Sequence, residues 1–119
     1  MDRFRPDTFL PLTPVAFEIL LALADGDQHG YAILREVARR SGGAVTLHAG
    51  TLYRALARLL ESALIEELDA RPDDGQDDQR RRYYRLTSRG VAVARAEVQR
   101  LEQQVAAART RRLLRGARG

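Results

Sequence analysis

One run of residues near the C-terminal end restricts the fold of this chain more than any other. Val91, Ala94, Val98, Leu101, Val105 and Ala108 recur in alternating steps of three and four, the seven-residue repeat of a coiled-coil seam on one long helix. The neighbours Arg95, Glu97, Gln99, Arg100, Glu102, Gln103 and Gln104 are polar, so the apolar stripe is narrow. With Thr87 as its cap, the helix is predicted to reach about Leu114. Such a helix overshoots a single small domain. A second copy of the chain is the natural partner for its far end, and a fold back onto its own domain is the alternative.

The 119 residues suffice for one domain with a modest core. Residues 1–12 lack periodicity and hold Pro6 and Pro11, so they read as an arm whose Phe9, Leu10 and Leu12 can pack on a neighbour. Thr13 as cap and Pro14 at the first helical position open a helix over 14–24, apolar on nearly all sides, which predicts burial on more than one face. A second helix spans about Gly30 to Arg40, with Tyr31, Leu34, Val37 and Ala38 as its stripe, and Gly42-Gly43 stops it. After a short extended piece, Ala44 to Leu47, a third helix runs from His48 or Ala49 to Ser62. Its Leu52, Leu56, Leu59 and Leu60 face a core, while Thr51, Arg54, Ala55 and Arg58 share the opposite side.

Residues 64–71 and 80–87 read as two strands joined by the polar loop Pro72 to Asp78, a hairpin whose second strand turns Tyr84 and Leu86 inward. The predicted fold is therefore mainly α with a small β-hairpin: a winged helix-turn-helix plus a long C-terminal dimerisation helix. Its divisions are an arm at 1–12, the winged helix-turn-helix at 13–87, the dimerisation helix at 88–115 and a tail at 116–119.

Charge separates along the chain. Between Ala63 and Gln79, seven acids stand against Arg71 alone, so this stretch carries −6 of a net +4 and the remainder carries +10. A polyanionic partner suits that remainder. Cysteine is absent, which excludes disulfides and thiolate metal sites, and with His29 and His48 as the only histidines a zinc site would need carboxylates from distant segments. No metal and no cofactor are expected. Ser41, Ser62 and Ser88 lie outside any nucleophile-elbow pattern and no phosphate loop occurs, so catalysis is not expected. Neither a membrane span nor a signal core is visible, which predicts a soluble, cytoplasmic protein.

Four pieces in order carry a resemblance. Leu12-Thr13-Pro14 opens the first helix and His29-Gly30-Tyr31 the second; Gly50-Thr51-Leu52-Tyr53-Arg54-Ala55-Leu56 lies in the third; Arg81-Arg82-Tyr83-Tyr84-Arg85-Leu86-Thr87 closes the hairpin. Together they resemble the PadR family of bacterial transcriptional regulators, from about Leu12 to Leu114, in its compact form with a single C-terminal helix. Where that family usually carries glycine in the turn between recognition helix and wing, this chain has Ala63. The resemblance implies a homodimeric repressor on a roughly palindromic double-stranded operator, often relieved by a small molecule or a stress signal.

On this reading Thr51, Arg54 and Arg58 face the major groove, and each arginine can pair with guanine or touch phosphate. Tyr53 sits at the flank, its ring toward the core edge and its hydroxyl toward a phosphate. Arg80, Arg81 and Arg82 at the base of the wing either line a minor groove or neutralise Asp73 to Asp78. Val91, Ala94, Val98, Leu101, Val105 and Ala108 form the dimer seam, and a cavity between the long helices and the core helices suits an apolar effector. A winged-helix protein-interaction or assembly module, with its arginines solvated, is the alternative function.

Overall fold

The computed structural model describes residues 3–44, 47–68 and 82–115. Among these, one turn of 3-10 helix (Pro6–Phe9) leads to α1 (Pro14–Leu23), β1 (Gln28–His29), α2 (Gly30–Arg40), α3 (Ala49–Glu61), β2 (Ile65–Leu68), β3 (Tyr83–Leu86), α4 (Ser88–Arg109) and α5 (Arg112–Arg115). The loop from Pro72 to Asp78, Arg80 and Arg81, Val45 and Thr46, and the tail at 116–119 lie outside the described residues.

Three helices start on a side chain that accepts from their first turn. Thr13 Oγ1 accepts from Ala16 N at 3.1 Å, His29 Nδ1 from Ala32 N at 3.2 Å and Thr87 Oγ1 from Gly90 N at 3.0 Å. Each satisfies a donor that the helix itself leaves unpaired. His48 precedes α3 without such a bond.

The sheet is antiparallel and three-stranded, in the order β1-β3-β2. Between β2 and β3, Ile65 stands opposite Leu86 and Leu68 opposite Tyr83. β1 adds Gln28 opposite Tyr84 and His29 opposite Tyr83. Two residues carry no alternation, so β1 was not predictable from local pattern; the hairpin supplies its partner. Asp27 reinforces the pairing, accepting from Arg85 Nε and Nη2 at 3.2 Å each.

Ile19, Leu20 and Leu23 of α1, Ile33 and Val37 of α2, Leu52, Leu56 and Leu59 of α3, Leu64, Ile65, Tyr84 and Val93 make one buried cluster. Tyr84 faces this core as its alternation predicts, and Leu86 packs against it. Removing one such leucine, Leu52 for example, costs about 2–5 kcal/mol in lost transfer energy and residual cavity. The stripe of α2 differs from the sequence reading: Gly30, Ile33 and Val37 are buried, whereas Tyr31 is 61% exposed. The face is rotated because Ile33, not Tyr31, is the residue that reaches the core.

The end of α3 is a Schellman motif. Leu64 N donates to Leu59 O and Ala63 N to Leu60 O, both at 3.0 Å, with Ala63 at φ 63°. Alanine thus adopts the left-handed conformation that glycine takes without steric cost. The turn is tied to α4, since Thr87 Oγ1 donates to Ala63 O at 2.7 Å and Thr87 N to Leu64 O at 3.1 Å. Gly90 lies so close beneath this turn that a β-carbon there would overlap the Leu64 carbonyl.

α4 buries Gly90, Val93 and Glu97 against its own domain. It ends at Arg109, short of the predicted Leu114. Thr110 Oγ1 and Arg111 Nη1 both donate to Ala107 O, at 2.9 and 3.0 Å, which competes with continuation of the helix. The segment before α1 packs on α4: the Phe4 and Phe9 rings are 5.8 Å apart, and the Arg89 guanidinium lies 4.8 Å from the Phe4 centroid.

Candidate nucleic-acid interface

The heptad Leu52, Leu56, Leu59 pins one face of α3 to the core, and helical geometry then turns Arg54 and Arg58 to solvent. Thr51 is half-buried beside them. Arg54 Nη2 lies 3.5 Å from Thr51 Oγ1, and its Nη1 stands over Gly50, so the side chain runs back toward the start of the helix. Among the described residues, neither Arg54 nor Arg58 has a carboxylate within 4 Å; the pairing of Arg58 with Glu61 that a solvated face would allow is not formed.

Other arginines are engaged. Arg39 and Arg40 pair with Glu36, and Arg40 also with Glu18, tying α2 to α1. Arg85 is shared by Asp27 and Glu66, and the Asp27 hydrogen bonds hold its guanidinium above the ordinary range. Arg82 stands 3.5 Å from Glu67 across the hairpin, so within the described residues its partner is on β2. Arg80 and Arg81, the two other wing candidates, lie outside the described residues.

Tyr53 is half-exposed, and its hydroxyl rests against Gly30 at the start of α2. Behind it, burial pushes the Tyr84 phenol up, with the Glu67 charge adding to the effect. Tyr31 is exposed, with the Arg35 guanidinium 5.6 Å from its ring centroid. Sequence reasoning put Tyr31 in the core; spacing from Ile33 and Val37 would have turned it outward. The exposed Tyr53 phenol and the Arg54 and Arg58 guanidiniums give α3 hydrogen-bond donors and positive charge suited to phosphate oxygens.

A second surface lies between α1 and the far half of α4. Phe17 and Leu21 face Val98, Leu101 and Val105 across an apolar groove of about 470 Å³, with Glu102 and Arg109 at its edge. Of the six seam residues, Val91, Ala94, Leu101 and Ala108 are half-buried, and Val98 and Val105 are exposed.

The sequence profile of the transcriptional regulator PadR-like family matches residues 19–96, two thirds of the chain. The chain belongs to this family. The PadR-like family comprises transcriptional regulators, not enzymes. Solved structures agree in fold. A PadR family transcription regulator from Clostridium difficile is 26% identical with a TM-score of 0.71, over 82% of this chain and 97% of that one. A transcriptional regulator from Clostridium thermocellum is 24% identical with a TM-score of 0.70, over 91% and 97%. PadR from Bacillus subtilis, solved in complex with operator DNA, is 20% identical with a TM-score of 0.64, over 74% of this chain and 48% of that one. No curated protein sequence matches this PadR-like chain significantly.

Proposed function

We propose that the chain is a homodimeric, sequence-specific DNA-binding repressor that reads a roughly palindromic operator in the cytoplasm and is released by a small-molecule effector. The observation that carries DNA reading is the outer face of α3, where Arg54 and Arg58 are exposed with no carboxylate of the described residues within 4 Å, while the leucines behind them are buried in the core. Thr51 completes the groove-facing set and Tyr53 flanks it, with Arg80, Arg81 and Arg82 as wing contacts. Family membership supports the regulatory role.

Dimerisation rests on the seam from Val91 to Ala108. Its far half exposes valines that a second copy would cover. The groove beside Phe17 has the volume of a small-ligand site, for which about 300–1,000 Å³ is usual. An apolar effector entering there would act on the dimer contact and, through it, on the spacing of the two α3 helices. Among the described residues no helix is long and apolar enough to cross a membrane.

The test is titration of Arg54→Ala, Arg58→Ala and the unchanged protein against duplexes from its own promoter and a scrambled control. Loss of a base contact is expected to weaken promoter binding by about 1–3 kcal/mol, roughly tenfold to a hundredfold, with less effect on the control. Unchanged binding in both variants would favour a protein-interaction role for the winged helix.

A further inference from the structure

The only buried charged side chain among the described residues is Glu97, 2% exposed in the middle of α4. Its Oε2 accepts from Leu12 N at 3.1 Å and from Arg100 Nη2 at 3.1 Å, and its Oε1 accepts from Arg100 Nε at 2.6 Å. Glu97 is also the last buried residue of α4; beyond it, Val98 and Val105 are exposed. The carboxylate thus marks the last buried position of α4, beyond which a groove opens between the helix and α1.

The geometry points to Glu97 as a positioning residue that sets the angle at which α4 departs, and hence the half-site spacing the protein selects. This rests on the dimeric reading above. Apolar contacts such as those of Val93 tolerate sliding and rotation because they are non-directional. The hydrogen bond that Leu12 N, at the entrance to α1, donates to Glu97 does not, and Arg100, one turn further along α4 itself, holds the carboxylate in place to accept it. From Glu97 to Arg109 the helix rises roughly 18 Å at about 1.5 Å per residue, so a tilt of about 10° moves its end by roughly 3 Å. That is close to the ~3.4 Å step between successive bases of a duplex strand, and in a dimer both copies contribute.

The strap reinforces the anchor. Leu12 is held at the carboxylate while Phe4 lies against Arg89, two turns earlier on α4. Two separated attachments define a direction, which one would not.

The experiment is selection from a randomised duplex pool, followed by sequencing and comparison of half-site spacing. Three full-length proteins are compared: wild type, Glu97→Met with Arg100→Met, and Glu97→Gln. The Met pair replaces the ion pair of buried Glu97 and half-buried Arg100 by apolar groups of similar length, removing the acceptor of Leu12 N. Wild type is expected to return one spacing and the Met pair, folded by circular dichroism, two or more. Glu97→Gln, which retains an acceptor for Leu12 N, is expected to return the wild-type spacing. A folded Met pair that still returns the single wild-type spacing overturns the proposal. If the Met pair does not fold, Phe4→Ser with Phe9→Ser detaches the strap instead and is held to the same two outcomes. Wild-type protein that selects a single unpaired site overturns the dimeric reading and this inference with it; paired sites at one spacing in every folded variant overturn this inference alone.

Discussion

Ala63, the departure from the family resemblance, has a counterpart in the backbone. Between α3 and β2 it takes a left-handed backbone, φ 63°, in a non-glycine residue. Side chains pay about 1–2 kcal/mol for that conformation, partly offset because glycine is freer in the unfolded chain. Ala63→Gly is therefore expected to stabilise by about 0.5–1 kcal/mol, raising the melting temperature by a few degrees for a domain this size. Thermal melts of the two proteins decide it; an unchanged or lower midpoint would mean that the Thr87 hydrogen bond to Ala63 O already relieves the turn. Arg54 and Arg58 were legible for a different reason: once Leu52 and Leu56 are placed in the core, helical periodicity leaves those arginines nowhere but outside. Glu97 was not legible. A glutamate among glutamines and arginines has the pattern of a solvated face, and its burial depends on Leu12, 85 residues away in the chain.

Among elements, α4 divides into two halves with different tasks. Gly90, Val93 and Glu97 bind it to its own domain, and beyond them Val98 and Val105 are exposed while Leu101 and Ala108 are half-buried. Leu101→Asp with Val105→Asp places two charges on the open half without touching the buried one. The variant is expected to remain folded by circular dichroism and to run as a monomer in sedimentation equilibrium, where the wild type is expected to run as a dimer; a dimeric variant would move the interface elsewhere. The Glu97 anchor brings a pH dependence. Arg100 hydrogen bonding, with help from Leu12 N, holds this carboxyl below the usual glutamate range in spite of its burial. A lowered folded-state pKa means that the unfolded chain binds the proton more readily. The stabilisation is thus present above the ordinary value of about 4.3 and is lost as pH falls through the folded value. Melting temperatures of wild type and Glu97→Gln are expected to differ at pH 7 and to converge below about pH 4. Parallel curves across that range would remove the carboxylate from the account.

For the whole molecule, charge is distributed so that the segment from Ala63 to Gln79 opposes the rest, which carries +10. If that positive remainder faces a duplex, log affinity falls linearly with log salt by about 0.9 per phosphate neutralised. A slope of several is expected for wild type, reduced by about one in a variant that loses a phosphate contact and nearly unchanged in one that loses only a base contact. Measured for Arg54→Ala and Arg58→Ala, the slope separates the two roles left open for each arginine. Helix positions, two of the strands, the caps Thr13 and Thr87 and the outward face of α3 all follow from spacing and local chemistry, because each depends on residues within a turn or two. The family resemblance rests on the same local motifs. β1, the outward turn of Tyr31, the end of α4 at Arg109 and the buried Glu97 follow from the folded chain. β1 exists because β3 lies beside it, and Glu97 is buried because the N-terminal strap closes over α4. Such features arise from contacts between segments distant in sequence, whose energies no short window contains.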